Sequence, residues 1–315
     1  MIGESDVQAR PATIIGVASG LGARDPRCGD GPSALAEGGL LAHLSERGAR
    51  LSWRSTLEPH HQPGQSRYRA IAGLCNRIAR EVSASIRAGE FPIVIGGDHS
   101  CAIGTWSGAA RAVAARGPLG LVWIDAHMDS HTPATSQSGM PHGMPLAALL
   151  GHGASRRLAA NVSAILDEGQ LAPGHICLVG VRSNEPEEAE LLARLGVRVV
   201  EMEEIESRGI EAVLDEAIGI ARSETAGYGV TLDLDAVDPQ DAPGVGTPVR
   251  GGIPASALVR ALGRCADDAS LLALEVVEYN PHRDVDRRTA MIVEDVIAAI
   301  LGVRPRIDST ATSPG

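Results

Sequence analysis

Three short clusters of acids and histidines could do chemistry in this sequence. They are Gly96-Gly97-Asp98-His99-Ser100, Asp125-Ala126-His127-Met128-Asp129 and Asp233-Leu234-Asp235, with Asp238-Pro239 behind the last. Each follows an apolar, β-branched run, so each reads as the end of a buried strand emptying polar residues into one place. In the second cluster the polar residues fall at i, i+2 and i+4, which in an extended segment puts all three side chains on one side. The third repeats this with two carboxylates, and His99 follows two glycines that allow close backbone approach. Four carboxylates gathered this way repel, and some must take up protons unless cations meet them. Two divalent ions balance the four charges. Oxygen-rich ligation with one imidazole per ion suits Mn²⁺ better than Zn²⁺. Two such ions ~3.5–4 Å apart activate water near neutral pH. Singly, each motif could be a solvated loop or a turn cap; three at three strand ends, with six compatible ligands, favour metal.

The elements that must position these residues follow from the hydrophobic pattern. Strand-like runs at 13–17, 92–96, 119–125, 175–181, 197–201, 229–235 and 271–278 alternate with helical patterns at 68–88, 186–195, 209–223 and 254–265. An amphipathic stretch at 286–301 closes the series. Several runs are continuously apolar, as expected for strands covered on both faces. The alternation predicts a three-layer α/β/α fold with a mostly parallel sheet. Ligands of such sheets bind at the carboxyl ends of the strands, where all three clusters fall. With no internal composition break, one domain is expected over 1–303, with a polar loop at 60–66 and a fraying polar tail at 304–315.

Aromatics make up 2% of the chain, so the core must rest on Ala, Val, Leu and Ile. The net charge of −11 argues against nucleic acid or an anionic membrane as partner, since both call for a basic patch. Cys28, Cys75, Cys101, Cys177 and Cys265 lie far apart with no C-x-x-C spacing. Reduced, mostly buried thiols in a cytoplasmic protein are expected. No apolar run approaches the ~18 residues of a membrane span, and the opening residues show no Lys/Arg followed by an apolar h-region, so no signal segment is expected there.

In combination the three clusters resemble the arginase/agmatinase (ureohydrolase) family. The resemblance extends through Thr231 to Pro239, Pro243-Gly-Val-Gly-Thr-Pro248, Ser138-Gly-Met-Pro-His142-Gly143 and Glu278-Tyr-Asn-Pro281, and spans about residues 13 to 301. It implies the family fold, two Mn²⁺ per chain, and hydrolysis of a guanidino group to urea plus an amine. It implies that His99 and Asp129 hold one manganese, that His127 and Asp235 hold the other, and that Asp125 and Asp233 bridge them. Glu278, at the end of another apolar run, would grip the guanidinium through charge-assisted hydrogen bonds. His142, in a Gly/Pro-rich loop, would shuttle protons or touch substrate, and Asp235 would also pass a proton to the leaving amine. The resemblance further implies a homo-oligomer, a trimer or hexamer. Asp98 and Asp238 read as supporting or turn residues, Glu275 as a site support or a buried structural acid, and Cys101 as an inert thiol.

Substrate choice is less sharply written. Arginases of this family read the amino acid end of arginine with an Asn, a Ser and an Asp at positions that here hold His131, Ser138 and Glu185, and Ser183 replaces a further acid. Ser138 keeps a hydroxyl for a carboxylate, His131 can donate a hydrogen bond, and Glu185 keeps the charge that would meet an α-ammonium. Arginine leads, with 4-guanidinobutyrate or an arginine derivative as competitor, agmatine less favoured and formiminoglutamate open. A non-catalytic metal-binding oligomeric scaffold would predict a missing ligand or a lost Glu278. A one-zinc, deacetylase-like relative would predict an incomplete second ligand set. Neither defect is present.

Overall fold

Alternate residues of the central strands feed two different cores, which is why the strands read as unbroken apolar runs. Ile93 and Ile95 pack into one core and Val94 into the other; Val122 and Ile124 are divided from Leu121 and Trp123 in the same way. The computed structural model describes residues 11–60, 64–152 and 171–303. Within them lie β1 (Ala12–Val17), β2 (Leu51–Leu57), β3 (Phe91–Gly96), β4 (Gly120–Ile124), β5 (Ile176–Val181), β6 (Arg198–Glu201), β7 (Tyr228–Asp233) and β8 (Leu271–Val277). They form one sheet in the order β2-β1-β3-β8-β7-β4-β5-β6, and every pairing is parallel.

Helices cover both faces. The described ones are α1 (Gly31–Glu37), α2 (Leu40–Glu46), α3 (Arg67–Arg87), α4 (Ala102–Val113), α5 (Pro145–Leu149), α6 (Pro186–Leu195), α7 (Met202–Arg208), α8 (Ile210–Arg222), α9 (Ala255–Leu262) and α10 (Arg288–Ile300). One layer holds α1, α2 and α7 to α10; the opposite layer holds α3 to α6. The three-layer α/β/α expectation is borne out, and the sheet is wholly parallel rather than mostly so. In the second layer α4 lies very close to α3, because Gly104 and Gly108 present no side chain there. A Cβ at either position would stand 2.7 or 2.6 Å from the carbonyl oxygens of Cys75 and Ala79.

Two kinds of element escape the hydrophobic pattern. β2 pairs only with β1, at the sheet edge, and its Ser52, Arg54 and Thr56 are exposed. Its alternation is that of a half-covered strand. In α4 nearly every residue is buried, so no polar face marks a helical period. The strands expected to run through 125 and 235 stop at Ile124 and Asp233. Of the loop expected at 60–66, residues 61–63 lie outside the described residues, as does the tail expected at 304–315.

Candidate metal centre

Four adjacent central strands, β3, β8, β7 and β4, deliver the site from their carboxyl ends. After β3, Asp98 caps a single 3-10 turn, His99–Cys101, by accepting the Ser100 N–H at 3.0 Å. After β4, Asp125 Oδ1 accepts the His127 N–H at 2.7 Å, and after β7, Asp233 Oδ1 accepts the Asp235 N–H at 2.9 Å. Each carboxylate therefore folds the following chain back toward itself. The extended geometry expected for 125–129 does not occur. The segment bends, and Asp129 sits in the left-handed region at φ 47°. Convergence comes from turns at the strand ends, not from pleat alternation.

Two groups of ligand atoms result, one formed by His99, Asp125, Asp129 and Asp233 and the other by Asp125, His127 and Asp235. His99 Nδ1 lies 2.9 Å from Asp129, 3.3 Å from Asp125 and 3.3 Å from Asp233. His127 Nδ1 lies 3.1 Å from Asp235 and 3.6 Å from Asp125. Asp125 belongs to both groups, as a bridging ligand must. Asp233 joins only the first, and its Oδ1 accepts the Asp235 N–H.

His99 supplies the test of whether a cation fits. Its Nδ1 is buried and makes no hydrogen bond of acceptable geometry, although three carboxylates crowd it. The short contacts and the missing hydrogen bond are compatible, because proximity does not require a proton aimed along any one contact. On the far side of the ring, fully buried Glu275 accepts Thr231 O–H at 2.7 Å and the Trp106 indole N–H at 3.1 Å. With its proton given to Glu275, Thr231 Oγ1 is left to accept from His99 Nε2, 3.3 Å away. That relay holds the ring proton on Nε2 and turns the Nδ1 lone pair toward the carboxylates, where a divalent cation belongs. Trp123 stacks on the same imidazole at 4.4 Å and donates its indole N–H to Asp125 at 3.0 Å.

Without a cation the site is electrostatically divided. Burial pushes Asp129 up to about 6, aided by the charge of Asp125 and opposed by the hydrogen bond to His99. Burial, with the charges of Asp235 and Asp125, drives Asp233 well above the carboxylate range. Burial would raise Asp125 too, but hydrogen bonds to His127 and His99 outweigh it and hold it below that range. For His99 burial opposes a charge, yet the three carboxylates win and hold a proton on it. Protons here stand in for the positive charge that metal would bring.

Beyond the ligands, Glu278 ends β8 at φ 65°. Its Oε1 accepts the His99 N–H at 3.0 Å and pairs with His142 Nδ1 at 3.1 Å. Burial works against a charge on His142, but Glu278 raises it to about 9. A cavity of about 460 Å³ reaches the ligands and takes in His131, Ser138, His142 and Glu185. A neighbouring one of about 250 Å³ takes in Glu278 and shares His142. A larger hollow of about 790 Å³ along α3 touches none of these residues.

The arginase-family model matches residues 10–302. The arginase of Brevibacillus brevis is 38% identical over 296 residues, covering 92% of this chain and 97% of that one. The chain belongs to the arginase family. Among solved structures, Bacillus subtilis arginase superposes with a TM-score of 0.83 at 32% identity, covering 94% of this chain and 99% of that one. An Entamoeba histolytica arginase in complex with L-ornithine gives 0.83 at 26% identity, covering 93% and 98%.

Within this arginase-family site several supporting residues have roles that their residue types do not announce. Thr231 and Trp123 sit inside apolar strands, and Thr247, which donates to Asp235 Oδ2 at 2.9 Å, lies in a loop. Buried Glu188 is one of several acids opening α6, and nothing in the sequence sets it apart from the others. Its oxygens accept the Ser130 and Glu185 N–H groups, the latter as part of a capping box. Burial pushes Glu188 up to about 8, aided by hydrogen bonding to Glu185. His131 is not held free for a ligand: its Nε2 pairs with Glu185 at 3.0 Å and its Nδ1 with Thr135 at 3.2 Å. Asp98 and Asp238 serve turns, Asp98 also accepting the Gly22 N–H and Asp238 those of Gln240, Gly251 and Gly252.

Proposed function

We infer that this chain is a binuclear manganese hydrolase cleaving the guanidino group of arginine, or of a closely related guanidino acid, to urea and an amine. The observation that carries this reading is the orphaned His99 Nδ1, backed by the Glu275–Thr231 relay and enclosed by three carboxylates. His99 and Asp129 would hold one ion and His127 and Asp235 the other, with Asp125 and Asp233 between them. Oxygen donors with one imidazole per ion support Mn²⁺. Bound there, the ions would supply hydroxide near neutral pH, the strong nucleophile that a resonance-stabilised guanidinium carbon requires.

The chain's own groups have separate tasks. Glu278 has one oxygen committed to His99 and His142, while Oε2 makes no hydrogen bond among the described residues. That oxygen can accept a guanidinium N–H. Asp235, beside His127, takes the proton released by the attacking water. His142, charged through its pairing with Glu278, donates from Nε2 to the departing amine. Ser138 contributes a hydroxyl at the cavity mouth. The His131–Glu185 pair supports a second substrate reading, 4-guanidinobutyrate, because the acid that would meet an α-ammonium already has a partner.

The deciding experiment is urea release by Mn²⁺-loaded protein from arginine, agmatine, 4-guanidinobutyrate and 3-guanidinopropionate, with formiminoglutamate cleavage run beside them. Urea from arginine or 4-guanidinobutyrate is expected. If only formiminoglutamate is cleaved, the guanidino reading is wrong.

A further inference from the structure

Sorted by burial, the lining of the 460 Å³ cavity separates into two groups. Its depth is acidic, formed by buried Asp129, Asp233 and Asp235. Its mouth is formed by exposed side chains, among them Arg24, Gln137, Ser138 and Glu185. Arg24 is the only Arg or Lys in that lining, and it forms no hydrogen bond or ion pair among the described residues.

Its lack of a partner has a local cause. The neighbouring acid, Asp25, is already saturated: Arg27 meets it with two guanidinium nitrogens at 2.8 and 2.7 Å, and Arg283 and Asn280 each at 3.1 Å. At the same mouth Glu185 is matched by His131. Both acids therefore already have partners, and the Arg24 guanidinium at the mouth has none among the described residues.

The backbone that carries Arg24 is tied to the catalytic groups. The Gly22 N–H donates to Asp98 at 3.0 Å, and the Gly22 carbonyl accepts the His142 N–H at 3.2 Å. A Cβ on Gly22 would stand 2.2 Å from the Asp98 carboxylate, so only glycine lets this turn seat so closely. Arg24 is thus held two residues from a backbone anchored beside the reacting end.

We propose that Arg24 is the specificity-determining residue for the acid end of the substrate, its guanidinium receiving a carboxylate at the cavity mouth alongside the Ser138 hydroxyl. This rests on the guanidino-hydrolase reading above and names the residue that selects a guanidino carboxylate over the same molecule without its acid. The guanidinium end belongs with buried Glu278, in the adjoining cavity that Arg24 and His142 also line, and the carboxylate end with Arg24, so an acid and a base stand at the two ends as the substrate's charges require. A planar guanidinium fork suits a carboxylate better than an ammonium does. Because the contact is remote from the reacting carbon, it contributes mainly to binding.

The test compares arginine with agmatine, the same molecule without its carboxylate, on Mn²⁺-loaded wild type, R24Q, R24K and R24E. For R24Q, kcat/KM for arginine should fall about tenfold relative to that for agmatine, through KM. R24K should recover part of the loss, and R24E should shift the ratio further toward agmatine. Calorimetric binding of ornithine against putrescine should show the same ordering without turnover. Unchanged thermal melting excludes misfolding as the cause. If wild type releases urea but R24Q and R24E leave the arginine-to-agmatine ratio unchanged, this assignment alone fails. If wild type releases urea from neither, nor from 4-guanidinobutyrate, the hydrolase reading falls and takes this assignment with it.

Discussion

His99 shows how a single proton's location selects the chemistry. The Glu275–Thr231 relay reserves Nε2 for the proton, so Nδ1 is the atom left to the surrounding carboxylates and, on the reading proposed above, to a metal ion. Glu275→Gln should disturb that order and weaken Mn²⁺ binding about 10–100-fold, read by metal titration. Unaltered affinity would remove the relay from the account. Asp129→Ala should lower metal content by one ion per chain and cut turnover at least about 100-fold, measured by elemental analysis and urea release. His142 carries a pH signature. Unfolded, its imidazole titrates near 6.5; in the metal-free fold Glu278 holds the proton to about 9. The native state binds that proton more tightly, so its stabilisation is complete below about 6.5 and is lost as pH rises through about 9. Metal-free wild type should exceed H142N by about 1–3 kcal/mol near pH 6, and the gap should close by about pH 10 in denaturant titrations. The convergence of His99, Asp125, His127, Asp129, Asp233 and Asp235 was legible because carboxylates and imidazoles after apolar runs have no cheap alternative. Thr231 was not, because a threonine inside a strand looks like any β-branched residue.

At the scale of elements, the site depends on how tightly α4 lies on the sheet. Trp106 of α4 occupies the space above Gly229 of β7 and donates to Glu275 of β8. A Cβ at Gly229 would fall 1.9 Å from the Trp106 ring. Gly229→Ala should therefore cost about 1–3 kcal/mol, lower the melting temperature, and loosen Glu275. A melting point equal to wild type would mean that Trp106 has room to move. Strands were the most legible elements, since double-sided burial writes them as apolar runs. The edge strand β2 and the wholly buried α4 were not, one being too polar and the other too uniform to show a period. Turn geometry after β4 and β7 was also hidden. An i, i+2, i+4 spacing is shared by an extended strand and by the bent loop that the Asp125 side chain imposes.

For the molecule as a whole, metal and fold should be linked. Four buried carboxylates converge on one place, so removing bound cations returns their repulsion to the native state. Chelation should lower the melting temperature; a ligand at 1,000 times its dissociation constant stabilises by about 4 kcal/mol. A chelated protein that melts unchanged would separate the centre from stability. The layered architecture could be read from strand–helix alternation, but the order of strands across the sheet could not. No local pattern says that β8, last of the described strands, lies between β3 and β7 at the middle.

That placement governs when the site can exist during folding. Before β8 inserts, β2-β1-β3 and β7-β4-β5-β6 are two separate sheet fragments, each with an open inner edge. His99 belongs to one fragment and Asp125, Asp129 and Asp233 to the other, while Glu278 arrives with the inserting strand itself. A chain emerging from the ribosome cannot assemble the centre until synthesis has passed residue 278, and pairing across such sequence distances is slow. The two open edges meanwhile offer apolar strands to any neighbour. Without β8 the sheet order falls into two fragments with open apolar edges, and the centre lacks both its closure and Glu278.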